Sequence, residues 1–134
     1  MFLLLIMTHA ATDEIVEFSS DGDGGNHQEM RMGTYFKLDK MVKGFPVYEQ
    51  TVIKDKIRQF LFMGPLGNWR VGPDTSTFTG SGLKNTQKSA TPPETGWQYQ
   101  HQGKWVHDNT MRATLKSKGK VKSSLYYKPN SIYQ

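Results

Sequence analysis

Short apolar segments bounded by glycine and proline restrict the fold of this chain more than any other feature. No stretch of about 11 residues or more places apolar side chains at helical spacing. Several short runs instead alternate apolar and polar side chains and end at Gly or Pro. We therefore predict an all-β fold: a small antiparallel sheet, sandwich or open barrel of about six to seven short strands with a disordered N-terminal segment.

The predicted strands lie in the middle of the chain. They include "GTYFKL" from Gly33, "GFPVYEQTVI" from Gly44, "IRQFLFMG" from Ile57 and "GNWRVG" from Gly67. The clearest hairpin is "GWQYQHQGKWVHD", in which the turn "HQG" separates Trp97 and Tyr99 from Trp105. Residues 73–95 are rich in Ser, Thr, Gly and Pro, which predicts a long irregular loop.

Gly-x-Trp occurs twice, at 67–69 and at 103–105. Glycine accepts a positive φ at a turn, and a following Trp can bury a large apolar area. Because the residues after the two tryptophans differ, we interpret the stretches as two hairpins built by one local rule, and not as an internal repeat.

Charge is distributed unevenly along the chain. Residues 1–30 hold six acids and no Lys or Arg, whereas residues 31–103 sum to +5 and residues 104–134 to +6. The sparse aliphatic content and many glycines of the acidic part are typical of a mobile segment. We predict a β module that folds without residues 1–30, with this organisation: a signal-peptide remnant at 1–11, an acidic flexible lead-in at 12–30, the module at 31–115, and a basic tail at 116–134 with room for one more hairpin.

The first residues, "MFLLLIMTHAA", have two interpretations. They lack a basic n-region, and their apolar run is shorter than that of a typical secretory signal. A signal peptide without its start and a buried terminal strand both fit, and the run is too short to span a bilayer. We predict an extracellular or secreted protein, with a cytoplasmic one as the alternative. The abrupt start and polar end fit a segment of a longer gene product.

Six blocks in order resemble a known type of module. The blocks are "GTY" (33–35), "GFPVY" (44–48), "FLF" (60–62), "GNWRVGP" (67–73), "ATPPETGWQY" (90–99) and "GKWVHD" (103–108). They are similar to a small Gly- and Trp-rich β module of animal mosaic proteins, often extracellular and repeated in tandem. The resemblance covers residues 33–110. It implies a compact binding or spacing module and transfers no catalytic residues.

Sequence features of enzymes are missing. There is no "GxSxG" elbow, no dinucleotide or P-loop fingerprint, and no cysteine for a thiol nucleophile, a disulfide or a Cys metal site. The four histidines are not spaced as zinc ligands. We therefore predict a non-enzymatic protein without a metal or a cofactor.

Two surfaces are candidates for binding. Aromatic side chains flanked by Gln and His on one hairpin suit a saccharide, whereas alternating lysines near the end of the chain suit a polyanion. The predicted partners are a polyanion, a glycan or a protein, and the alternative is nucleic acid bound by an intracellular protein. The candidate binding residues are Trp97, Tyr99, Trp105, Lys116, Lys118, Lys120 and Lys122.

Overall fold

A computed structural model describes residues 14–117 of the chain. The predicted signal remnant at 1–11 lies outside the described residues. Lys118, Lys120 and Lys122 of the predicted basic tail lie outside them as well, as does any second strand of a hairpin there.

The described chain is one domain built on a single antiparallel sheet, which curls into a half-barrel. The prediction of an all-β fold is confirmed, although the described residues form nine strands where six to seven were predicted. The strands are β1 (Glu14–Ser19), β2 (Gly33–Val42), β3 (Phe45–Gln50), β4 (Phe60–Met63), β5 (Trp69–Gly72), β6 (Leu83–Asn85), β7 (Trp97–His101), β8 (Lys104–His107) and β9 (Arg112–Ser117). Between residues 14 and 117 no helix is long and apolar enough to cross a membrane.

The strand order follows the chain with one exception. From β1 to β8 each strand lies beside the next one, and β9 then returns to pair with β1. β1 is therefore an interior strand with β2 on one side and β9 on the other. Across the curl, the backbone N–H of Ala113 in β9 donates to the carbonyl of Glu94, just before β7, at 3.0 Å.

Aromatic side chains fill the concave face of the sheet. Trp69 and Trp97 are fully buried, and Phe18 packs edge-to-face on Trp97 with ring centroids 4.9 Å apart. Both indole N–H groups donate to backbone carbonyls of the segment between β6 and β7, Trp69 to Ser89 and Trp97 to Pro93, each at 2.9 Å. These bonds satisfy the polar atoms of the two largest core side chains and fasten an otherwise irregular segment.

The predicted flexible lead-in is ordered where the structure describes it. Val16 and Phe18 of β1 are buried in the core, although we predicted that residues 12–30 would be mobile and dispensable. A short helix, α1 (Asp23–His27), and a 3-10 turn (Glu29–Arg31) follow. The prediction of mobility was wrong because it relied on the acidic, Gly-rich composition of the segment. That composition does not show that the strand is paired on both sides.

Strand β6 lies inside the segment predicted as one long loop. It has only three residues, and its inward side chains are Leu83 and Asn85. The Asn85 side chain donates to the carbonyl of Thr95 and accepts from the N–H of Gln87, so a buried amide holds the following turn. A strand this short carries too few alternations to be recognised from its pattern.

Asp108 joins the two ends of the described chain. Its carboxylate is 7% exposed and accepts from the Ser20 hydroxyl at 2.7 Å, the Gly24 N–H at 3.1 Å, and both the N–H and hydroxyl of Thr110. Burial alone would raise the pKa of Asp108, but these hydrogen bonds more than offset it and lower the pKa. A Cβ on Gly24 would lie 2.5 Å from the carboxylate, so the close approach requires glycine there.

Phe18 provides a test of whether β1 belongs to the cooperative core. Replacing Phe18 with Ala removes its contacts with Trp97 and Tyr35, and we expect the free energy of unfolding to fall by about 3–5 kcal/mol. Ser19→Ala, in the same strand but exposed, is the matched control and should change it by less than about 0.5 kcal/mol. Urea unfolding measures both changes. Equally small effects of the two substitutions would mean that β1 lies outside the cooperative core, as the prediction of a mobile lead-in requires.

Asp108 predicts a dependence of stability on pH. A carboxylate whose pKa is lowered in the folded state contributes fully above its unfolded pKa of about 4 and loses that contribution as the pH falls below it. We expect Asp108→Asn to lower the free energy of unfolding by roughly 2 kcal/mol at pH 7 and by less near pH 3. Urea titrations at both pH values check this, with Asp39→Asn, an exposed carboxylate, as control. A cost that is the same at both pH values would contradict it.

Candidate functional site

The two Gly-x-Trp turns place their tryptophans on opposite faces of the sheet. Gly67 and Gly103 both have positive φ, 85° and 78°, as the shared turn rule predicts. Trp69 lies in the core, whereas Trp105 pairs directly with Gln100 of β7, and directly paired residues share a face. Since Tyr99 points into the core, Gln100 and Trp105 lie on the convex face.

Two of the predicted binding residues are core residues. Trp97 is 0% exposed and Tyr99 is 6% exposed, so neither offers a face to a ligand. The three aromatic side chains predicted to form one surface on this hairpin therefore lie on two faces of the sheet, and only Trp105 is partly exposed. The sequence pattern correctly placed Trp97 and Tyr99 on one side of the strand, but it did not tell which side was interior.

Lys116 is the described member of the predicted lysine series. Its ammonium lies 2.7 Å from a carboxylate oxygen of Glu17 in the neighbouring strand β1. This hydrogen bond and charge lower the pKa of Glu17. The pair is exposed on both sides, so it contributes little to stability, but it partly neutralises the cation that was predicted to attract a polyanion.

A row of polar side chains crosses the convex face from β5 to β8. Strand register pairs Arg70 with Lys84, Lys84 with Gln98, and Gln98 with His107. These residues alternate with inward apolar neighbours such as Val71 and Leu83, which places the row outside the core.

Two cations of this row lie over the ring of Trp105. The Lys84 ammonium is 4.5 Å from the centroid of the Trp105 ring, and the Arg70 guanidinium carbon is 5.8 Å from it. The same guanidinium carbon is 5.0 Å from the ring of Phe78, which the loop between β5 and β6 folds onto the sheet. We call Arg70, Phe78, Lys84, Gln100 and Trp105 the Trp105 patch.

The charges of the Trp105 patch are not balanced by acids. Among residues 14–117 the ion pairs join Lys54 to Glu29, Arg58 to Glu49 and Lys116 to Glu17. Neither cation of the patch is in one of them. Arg70 is 6% exposed, and burial lowers its pKa, but an arginine side chain remains protonated at neutral pH. The patch therefore holds a desolvated positive charge beside a second, half-buried one.

Two buried polar atoms of the patch have no hydrogen-bond partner within the described chain. They are the Nε of Arg70, which is packed against Gly64, and the Oε1 of Gln100. Buried groups without partners cost free energy, and native proteins rarely keep them without a reason. An unpaired donor on a cation, an unpaired acceptor and two partly exposed rings share one face.

Other clusters offer less chemistry. A groove of about 360 Å³ lies where the β2–β3 and β4–β5 turns meet the segment before β7, with Phe45, Met63, Lys43 and Lys88 in its lining. On the concave side the rings of His27 and His101 stack with centroids 3.8 Å apart. No group of three or more His, Asp or Glu side chains that could hold a metal occurs in residues 14–117.

Sequence reasoning missed four of the five patch residues, because Trp105 alone was among the predicted binding residues. Arg70 and Lys84 could have been found from alternation, since each stands between two apolar or buried neighbours in a short strand. Phe78 could not, because a loop conformation brings it to the sheet. The Asx turn at Asp74, whose carboxylate accepts from the N–H and hydroxyl of Ser76, shapes that loop.

Comparison with protein-family models, curated protein sequences and solved structures gives no match for this chain. The resemblance to a module of animal mosaic proteins therefore stays a prediction from the residues, and function has to be inferred from the geometry of the patch.

Arg70 provides a test of whether the patch is maintained for stability. Arg70→Met removes a buried cation that has no acidic partner, and it also removes two cation–π contacts. We therefore expect the free energy of unfolding to stay within about 1 kcal/mol of the native value or to rise. Arg31→Met is the matched control. The Arg31 guanidinium donates to Gln59, Gln28 and the carbonyl of Gly80, and its loss should cost roughly 3 kcal/mol. Equal losses in thermal unfolding would make Arg70 a structural residue.

Proposed function

We propose that this protein is a non-enzymatic binding module that binds an anionic ligand at the Trp105 patch. The observation that supports it is the pair of cations, Arg70 and Lys84, held against Trp105 without a carboxylate partner in the described chain. The extracellular setting suggested by the sequence resemblance is part of the same proposal.

The energetics of the patch favour a ligand over a structural role. A buried cation that lacks a partner destabilises the free protein, and an arriving anion removes that cost. The surrounding rings lower the local dielectric, which strengthens the attraction between the cations and a bound anion. Phe78, 48% exposed at the edge of the patch, adds apolar contact area.

A basic tail that binds nucleic acid is the alternative function. Lys116, its described lysine, is paired with Glu17. The two functions use different residues, so one experiment with two sets of variants separates them.

Retention on heparin and RNA columns across a salt gradient tests the proposal. We expect the native protein to bind heparin, and the double variant Arg70→Met/Lys84→Gln to elute at lower salt with roughly tenfold weaker binding. Lys40→Gln/Lys56→Gln removes the same net charge from exposed positions elsewhere and should elute with the native protein. The tail variant with Lys116, Lys118, Lys120 and Lys122 changed to Gln tests the alternative.

The outcomes distinguish the patch from the tail as the binding site. Equal losses in the two double variants would show that only net charge matters and would contradict the proposal. Stronger retention on RNA that the tail variant alone removes would establish the alternative. No retention of the native protein on either column would overturn both functions.

A further inference from the structure

The number of cations in the Trp105 patch limits the kind of anion it can bind. Along the convex row Arg70 and Lys84 come first, but the next positions are Gln98 and His107, which bring an amide and an imidazole. A single-stranded nucleic acid carries a charge on every nucleotide and binds along a track of cations with several stacking rings. Two adjacent cations at one end of a row suit a ligand with one anionic group there.

The remaining groups of the row match hydroxyls. The side-chain amides of Gln98 and Gln100 can each donate and accept, as hydroxyl groups also do. The Oε1 of Gln100 is an acceptor without a donor in the described chain, and Gln100 is the residue directly opposite Trp105. A ligand over Trp105 therefore meets amides that can both donate and accept, and hydroxyl groups match them better than phosphate groups, which only accept.

The partly exposed indole of Trp105 suits a sugar ring. The face of an indole is apolar and carries the negative part of the ring quadrupole, so it attracts the weakly positive C–H face of a pyranose. The Lys84 ammonium and the Arg70 guanidinium lie over the Trp105 ring. A sugar stacked on the other face of the ring would direct its charged substituent past the ring edge toward these two cations.

We propose that the ligand of the Trp105 patch is an acidic saccharide whose sugar ring stacks on Trp105, whose carboxylate or sulfate group meets Lys84 and Arg70, and whose hydroxyls bond to Gln98 and Gln100. This inference rests on the proposed function, since it names the chemistry of the anion. Carboxylate and sulfate are the two sources of the charge, and defined oligosaccharides separate them.

Calorimetric titration with four defined probes tests the inference. The probes are a hyaluronan tetrasaccharide with carboxylates only, a heparin tetrasaccharide with sulfates and carboxylates, a neutral chitin tetrasaccharide, and a short oligo-dT. We expect at least one acidic tetrasaccharide to bind more tightly than both the neutral saccharide and oligo-dT. Trp105→Leu should weaken that binding by about tenfold or more, and Trp105→Phe should retain part of it.

Tryptophan emission locates the ligand independently of affinity. Trp69 and Trp97 are fully buried, so quenching by acrylamide in the native protein reports on Trp105. We expect a saturating acidic tetrasaccharide to protect Trp105 from the quencher. Trp105 lies on an edge strand and is partly exposed, and an unchanged unfolding temperature of the variants would confirm that they fold.

Each other result overturns the inference in a distinct way. If neutral and acidic saccharides bound with equal affinity, the anionic group would have no role in binding. Tighter binding of oligo-dT that depends on Trp105 would make the ligand a nucleic acid. Heparin binding that needs Arg70 and Lys84 but not Trp105 would leave the proposed function standing and refute the saccharide, whereas no binding of any anion would refute both.

Discussion

The pairing of β1 with both β2 and β9 is the constraint on which the rest of the structure depends. It brings the first and last described strands side by side, and the chain between them must curl to allow it. Asp108 secures this closure, because one carboxylate collects donors from Ser20, Gly24 and Thr110 on both sides of the junction. The chain has no cysteine and so no disulfide, and four hydrogen bonds to one buried carboxylate connect the two segments instead.

The curl gives the two faces of the sheet different chemistry. The concave face closes over Trp69 and Trp97, whose indole N–H groups are satisfied by the backbone. The convex face cannot close on itself, so large side chains there must be covered by loops or by one another. Arg70 beside Phe78 and Trp105 is such an arrangement, and it covers apolar area while the Nε of its guanidinium has no hydrogen-bond partner in the described chain.

The sequence predicted the fold class and the hairpins because these depend on local chemistry. Gly67 and Gly103 were predicted as turn residues because φ > 0 suits glycine, and the alternation of Trp97 and Tyr99 was correct. The role of β1 could not be predicted, because its only distinction is to be paired with residues more than 90 positions away. For the same reason alternation identified the faces of single strands, but only the assembled, curled sheet decides which face is interior. The Trp105 patch combines residues of β5, β6, β7, β8 and a loop, and no local pattern contains that information.

The closure and the patch use separate residues, and that separation makes the function testable. Arg70 and Lys84 lie on β5 and β6, in the middle of the sheet, whereas β1, β9 and the Asp108 junction hold its ends together. Within residues 14–117 the patch residues make no hydrogen bond to Asp108, Ser20 or Thr110. A change at the patch can therefore alter the charge and the stacking surface while the core and the junction stay intact. Loss of binding without loss of stability is the result that a structural role for these side chains does not allow, since a side chain that serves only the fold shows its removal first in the free energy of unfolding.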